Sequence, residues 1–225
     1  MKKSMFRSDS NALESICRDY FSLLDYTNEH GRSNRKALQA ADKLRALDLK
    51  CRSFSCLTVV DNEEFEHLCY FFLRPFDLLR ELHLYMCPPS LVVDLFDFRN
   101  RLEVLEMVQS GITDISSVLA PISDSLLNCF KSKVASSPDS VSVPESMYWS
   151  KLKKLRLANC GIASLDATFH LMPEVELIDL SHNSIGRLIH LQDCVCLRRL
   201  NISHNCIRRL SSIGRYSSNS FLLID

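Results

Sequence analysis

Glycine is scarce in this chain, with 5 among 225 residues. So few glycines argue against a nucleotide-binding fold built on Gly-rich loops. Neither sign of charge is in excess. Lys and Arg total 27, Asp and Glu total 27, and the formal net charge is zero. No nucleic-acid footprint or anionic-membrane patch is expected from such a balance. Long apolar runs are missing as well. Stretches such as Cys69 to Leu73 fall far short of the roughly 20 residues that a bilayer-spanning helix needs. Met1-Lys2-Lys3-Ser4 is not followed by the apolar core of a signal peptide. These absences predict a cytoplasmic (or nuclear) protein without a transmembrane segment. There is no P-loop, no HExxH, no GxSxG and no nucleophile beside a matched base. The expectation is a protein that is not an enzyme and needs no cofactor.

Paired cysteine motifs are also lacking. The ten cysteines are scattered and form no CxxC pair. A tight terminal cysteine cluster, usual in secreted repeat proteins, is not visible. Most of these thiols are expected to be small buried hydrophobes in a reducing compartment. Cys194 and Cys196 form a lone CxC, a weak metal or redox signal. The sequon Asn201-Ile202-Ser203 falls in an expected strand and reads as coincidence.

What the chain does have is a repeat. The pattern LxxLxLxxNxIxxL runs through Leu152, Leu155, Leu157, Cys160, Ile162 and Leu165. It recurs through Val175, Ile178, Leu180, Asn183, Ile185 and Leu188, then through Leu197, Leu200, Ile202, Asn205, Ile207 and Leu210. Weaker copies start at Leu79 (Leu82, Leu84, Cys87) and Leu102 (Leu105, Met107, Ser110, Ile112, Ile115). A further copy is expected from Phe221 and Ile224, with Leu223-Ile224-Asp225 echoing Leu177-Ile178-Asp179. It implies a fragment of a longer protein. Each repeat should lay down a short strand whose alternate residues face the core. The chain then turns at the Asn or Cys position, where a buried amide can satisfy backbone groups left by the bend. It returns as a short helix or 3₁₀ segment. No such unit buries its face alone, so the units must stack.

The expected fold is therefore an α/β leucine-rich-repeat solenoid. A curved parallel sheet lines its concave face, and short helices or 3₁₀ turns line its convex face. Residues 76–225 would form the repeats. Residues 1–75 read as a mostly helical N-terminal cap, with helices over Ala12 to Asp25 and Lys36 to Leu47, a turn over His30 to Asn34 and strand character over Phe54 to Val60. Phe65 to Phe72 is apolar and either helical or an early cap element. Between the second and third repeats the start moves from Leu102 to Leu152, placing an insertion at about 120–148. Ser136 to Ser150 is rich in Ser and Pro, and Ser137-Pro138 reads as part of a solvated loop. Trp149 is positioned to plug the stack after the insertion.

Such a fold would bind through its outward strand positions. Those predicted to face a protein partner are Arg80, His83 and Tyr85, then Glu103 and Glu106, then Lys153, Lys154 and Arg156. The series continues with Glu176, Asp179 and His182, and closes with Arg198, Arg199, Asn201 and His204. From the second strand onward the sign alternates, which suits both a self-neutralised ladder and a mixed-charge docking surface. His182 and His204 occupy equivalent repeat positions and should stack. With no third ligand evident, they read as structural and no metal is expected.

On its repeats the chain is identified as a member of the intracellular leucine-rich-repeat superfamily. A closer resemblance rests on Phe76-Asp77-Leu78-Leu79-Arg80-Glu81-Leu82-His83-Leu84, a weak repeat at Leu102 to Leu105, a long insertion, and then Leu177 to Asn183 and Leu200 to Asn205. This order, over roughly residues 70–225, resembles the serine/threonine kinase 11-interacting protein family. The resemblance implies a large cytoplasmic scaffold that binds a serine/threonine kinase and controls its localisation, with peripheral association with endosomal or lysosomal membranes. The alternative is a leucine-rich-repeat regulatory subunit of a phosphatase, spliceosomal or axonemal complex.

Overall fold

The computed structural model describes residues 5–8, 10–30, 35–61, 69–120, 144–208 and 221–223. Eight strands form one parallel sheet in strict chain order: β1 (Met5–Ser8), β2 (Cys56–Val60), β3 (Glu81–Tyr85), β4 (Val104–Val108), β5 (Lys154–Ala158), β6 (Leu177–Asp179), β7 (Arg199–Asn201) and β8 (Phe221–Leu223). Period-two patterning decides which residues face inward. Leu57, Leu82, Leu105, Leu155, Ile178 and Leu200 share one register column, and all are buried. Val59, Leu84, Met107 and Leu157 make the next inward column. Together with the convex side they belong to a single apolar core running from Leu13 to Ile202.

Between strands the chain returns through short 3₁₀ segments, among them Pro89–Leu91, Leu95–Phe98, Ala167–Leu171 and Leu191–Asp193. One short helix, α3 (Ser116–Leu119), follows β4. The crossover from β1 to β2 differs. It is a pair of long helices, α1 (Ser10–His30) and α2 (Arg35–Arg52), packed on each other. Leu13 and Cys17 of α1 are buried at helical spacing, and Phe21 meets Phe72 edge-on with ring centroids 5.0 Å apart. The buried carboxylate of Asp61, just past β2, accepts from the Ser10 N–H at 2.8 Å and satisfies a donor at the start of α1.

Two features differ from the sequence expectation. First, the N-terminal region contributes β1 and β2 to the same sheet, so the boundary expected at 75/76 falls inside it. Phe54, Leu57 and Val59 had the repeat spacing, but the longer step of 25 residues to Leu79 hid it. Second, β8 pairs with β7 with Leu222 opposite Leu200, so Leu222 takes the register position that the sequence reading gave to Ile224. The step from Leu200 to Leu222 repeats the 22-residue step from Ile178 to Leu200. The insertion leaves the sheet unbroken, in keeping with the single parallel sheet expected, because Val104 to Val108 pairs residue by residue with Lys154 to Ala158. The middle of the insertion and its Ser137-Pro138, the turn residues 31–34, the segment 62–68, Leu210 and the residues Ile224 and Asp225 lie outside the described residues.

The turn after each strand is built alike. Met86, Gln109, Asn159, His182 and His204 all adopt positive φ, between 53° and 56°. Each precedes the Asn-type position: Cys87, Ser110, Cys160, Asn183 and Asn205. The left-handed residue turns the chain out of the strand and leaves inward-facing amides to be satisfied. Asn183 does so completely. Its Oδ1 accepts from the N–H groups of Cys160, Gly161 and Ile162 at 3.0–3.1 Å, while its Nδ2 donates to the carbonyls of Leu157, Leu180 and Ser181. Asn205 repeats the arrangement toward Ile185, Leu180, Ile202 and Ser203. Ser110 and Cys160 donate to carbonyls of their own and the preceding turn, and the Cys160 sulfur, a weak acceptor, also meets backbone groups of Gln109, Ser110 and Ile112.

Candidate partner-binding face

The outward residues of the strands form an array of three columns. The first holds Cys56, Glu81, Val104, Lys154, Leu177 and Arg199. The second holds Thr58, His83, Glu106, Arg156, Asp179 and Asn201. The third holds Val60, Tyr85, Val108 and Ala158. Strand neighbours in one column sit within side-chain reach, so charges of opposite sign in adjacent strands pair.

They do pair along the middle column. Glu106 is the hub, almost wholly covered at 5% exposure. It accepts from His83 Nδ1 at 3.0 Å, is ion-paired to Lys154 Nζ, and lies 3.5 Å from the Tyr85 hydroxyl. The His83 bond, helped by Lys154, holds the Glu106 carboxyl down at about 2 against the opposing effect of burial. Burial and the neighbouring Glu106 charge push the Tyr85 hydroxyl above its ordinary range. Arg156 Nε stands 3.1 Å from Asp179 Oδ2. The other oxygen of Asp179 accepts from the N–H and hydroxyl of Ser181. Asn201 and Ser203 copy that turn one strand on.

At the strand entries Arg80 pairs with Glu103 at 3.6 Å, and Arg198 with Glu176 at 3.7 Å. Lys153 and Arg199 form no ion pair among the described residues, and both are exposed. His182 and His204 stack as expected, with ring centroids 4.2 Å apart and planes 22° apart. They lie at the turn, past the strand ends, on the rim of the array.

Of the residues read from sequence, His83, Tyr85 and Lys154 gather around Glu106, while Arg80 with Glu103, Arg156 with Asp179 and Arg198 with Glu176 stand as separate pairs. Sequence reasoning missed Glu81, Val104, Val108 and Leu177, which are half-buried on the same face. Counting back by two from His83 finds Glu81. The valines were passed over because apolar residues at strand positions read as core. Cys56 was missed because β2 was placed in the cap. Its thiol, the Glu81 carboxylate and His83 are the group of potential metal ligands found among the described residues.

None of the nine described cysteines is in a disulfide, and six of them are buried. Burial pushes the Cys17 thiol up to about 11 and the Cys194 thiol up to about 12. Among the described residues no helix is long and apolar enough to cross a membrane. Residues 150–211, covering β5 to β7, match the family model described as Leucine rich repeat. No curated protein matches the chain.

Proposed function

We propose that the chain is a non-catalytic protein-interaction scaffold that docks a partner on the outer face of its sheet. In this reading the stacked units form a solenoid, and that face is its concave side. The observation that carries the proposal is the chemistry of the three columns. A ladder of paired charges runs between half-exposed apolar residues, with Tyr85 beside Glu106. Aromatic anchors flanked by complementary charge suit protein recognition. Lys153 and Arg199, exposed and outside the ion pairs of the described residues, add positive charge that can meet carboxylates or phosphates of a partner.

The partner proposed is a serine/threonine kinase, held in the cytoplasm or brought to endosomal or lysosomal membranes. The resemblance of the repeat order supports this choice. The test is direct titration of the purified chain with the kinase that the resemblance names, monitored by calorimetry. Saturable one-to-one binding in the micromolar range or tighter supports the kinase reading. Absence of binding, with specific capture of a phosphatase, splicing or axonemal complex, would move the assignment to a regulatory subunit.

A further inference from the structure

We infer that Cys56, Glu81 and His83 form a zinc site on the outer face of the sheet, bridging β2 and β3. Cys56 lies directly opposite Glu81 in the parallel register. His83 follows Glu81 by two residues and so points from the same face. One ligand atom from each of the three lies within 4.8 Å of the other two. Glu81 Oε2 and His83 Nε2 are 3.8 Å apart. Zinc bonds of about 2.0–2.3 Å in a tetrahedron place ligand atoms roughly 3.3–3.8 Å apart, so small side-chain rotations close the site.

The histidine is held in the orientation that zinc needs. Glu106 takes Nδ1 at 3.0 Å. With the proton fixed on Nδ1, Nε2 carries the lone pair, and it is Nε2 that faces Glu81. A carboxylate behind a ligating imidazole is the usual support of zinc-bound histidine. At 3.8 Å the Nε2 to Glu81 approach is too long for a hydrogen bond, so that side of the ring lacks a direct bond to Glu81. Glu106 is fixed in turn by Lys154 from the next strand.

The donor set selects the metal. One thiolate, one imidazole and one carboxylate suit zinc, whereas magnesium and calcium take oxygen alone. Binding displaces the Cys56 thiol proton to solvent, and the bound ion is balanced by the thiolate and the Glu81 carboxylate. Water fills the fourth position on the open side of the sheet. The site would staple β2 to β3, joining the N-terminal strands to the repeats. The inference stands apart from the identity of any protein partner.

The test uses the full chain, stripped with chelator and titrated with cobalt(II) as a spectroscopic probe. A thiolate-to-cobalt charge-transfer band with tetrahedral ligand-field intensity is expected, bleached by zinc. Cys56→Ser should abolish the band. His83→Gln, at a partly exposed position, should weaken cobalt binding at least about 10-fold and serves if Cys56→Ser does not fold. Glu106→Gln should keep the band while lowering affinity about 10–100-fold, as loss of an orienting carboxylate does. No thiolate band in the wild type would overturn the proposal. So would a band that survives unchanged in folded Cys56→Ser or His83→Gln, since it would belong to other cysteines.

Discussion

At the scale of single residues, the buried amide of Asn183 does the most for its size. It satisfies three N–H groups of the preceding turn and donates to three carbonyls. Removing one partner of buried hydrogen bonds leaves the others unsatisfied, at about 1–3 kcal/mol for each orphaned group that water cannot reach. Asn183→Ala should therefore lower unfolding stability by at least about 3 kcal/mol in urea titrations. Cys160 holds the same place one repeat earlier with only a thiol. Cys160→Asn should replace a weak sulfur acceptor with an amide oxygen and raise stability by about 1 kcal/mol. Glu106 makes a prediction about acid. Its folded carboxyl sits at about 2, below the ordinary 4.5, so the ionised form favours the fold. That stability is fully present above the ordinary carboxyl range and is lost as pH falls from 4.5 toward 2. In chelator, Glu106→Gln should flatten the pH dependence of stability across that window. The buried thiols of Cys17 and Cys194 should stay protonated and resist alkylation at neutral pH, while exposed Cys206 reacts first in peptide mapping.

At the scale of elements, Trp149 shows how the sheet is kept continuous across the insertion. Its ring is fully buried, meets Phe96 edge-on at 6.3 Å, and donates Nε1–H to the Leu119 carbonyl at 2.9 Å. It joins the end of α3 to the approach of β5. Asp166 reinforces the joint by accepting from Ser116 N and Thr168 N. Trp149→Ala should cost about 3–5 kcal/mol by leaving a cavity beneath β5. The repeats at Leu152, Val175 and Leu197 were legible because apolar period and turn residue agree in each. The plug was legible too, since a large ring just before a resuming repeat has few other uses. The β1 strand was not, and β2, read as a strand over Phe54 to Val60, was not recognised as part of the repeat sheet. Four residues, Met5 to Ser8, are too short to show a period, and the long α1–α2 crossover breaks the repeat spacing. The outward valines Val104 and Val108 were illegible for a different reason. Facing is decided by register, and an apolar side chain alone does not tell inward from outward.

At the scale of the whole molecule, one core runs from Leu13 to Ile202 under one sheet. Trp149 fluorescence and far-ultraviolet circular dichroism should therefore report one unfolding transition. A separate early transition by dichroism alone, shifted by Leu57→Ala, would instead make the N-terminal strands and helices an independent unit. The charged face was largely legible from period two and repeat register, but its self-neutralisation could be measured only in the structure. That neutralisation also directs the experiment. Reversing Arg156 would set a new carboxylate against Asp179 and disturb the sheet itself, whereas Lys153 and Arg199 can be reversed without breaking a described ion pair. The most direct test of the docking face is the affinity of Lys153→Glu/Arg199→Glu for the partner, measured beside Val195→Glu, a control on the exposed return segment between β6 and β7. The account predicts about 10-fold or greater weakening for the face variant and no change for the control. Equal affinity for the face variant, or loss only in the control, would contradict it.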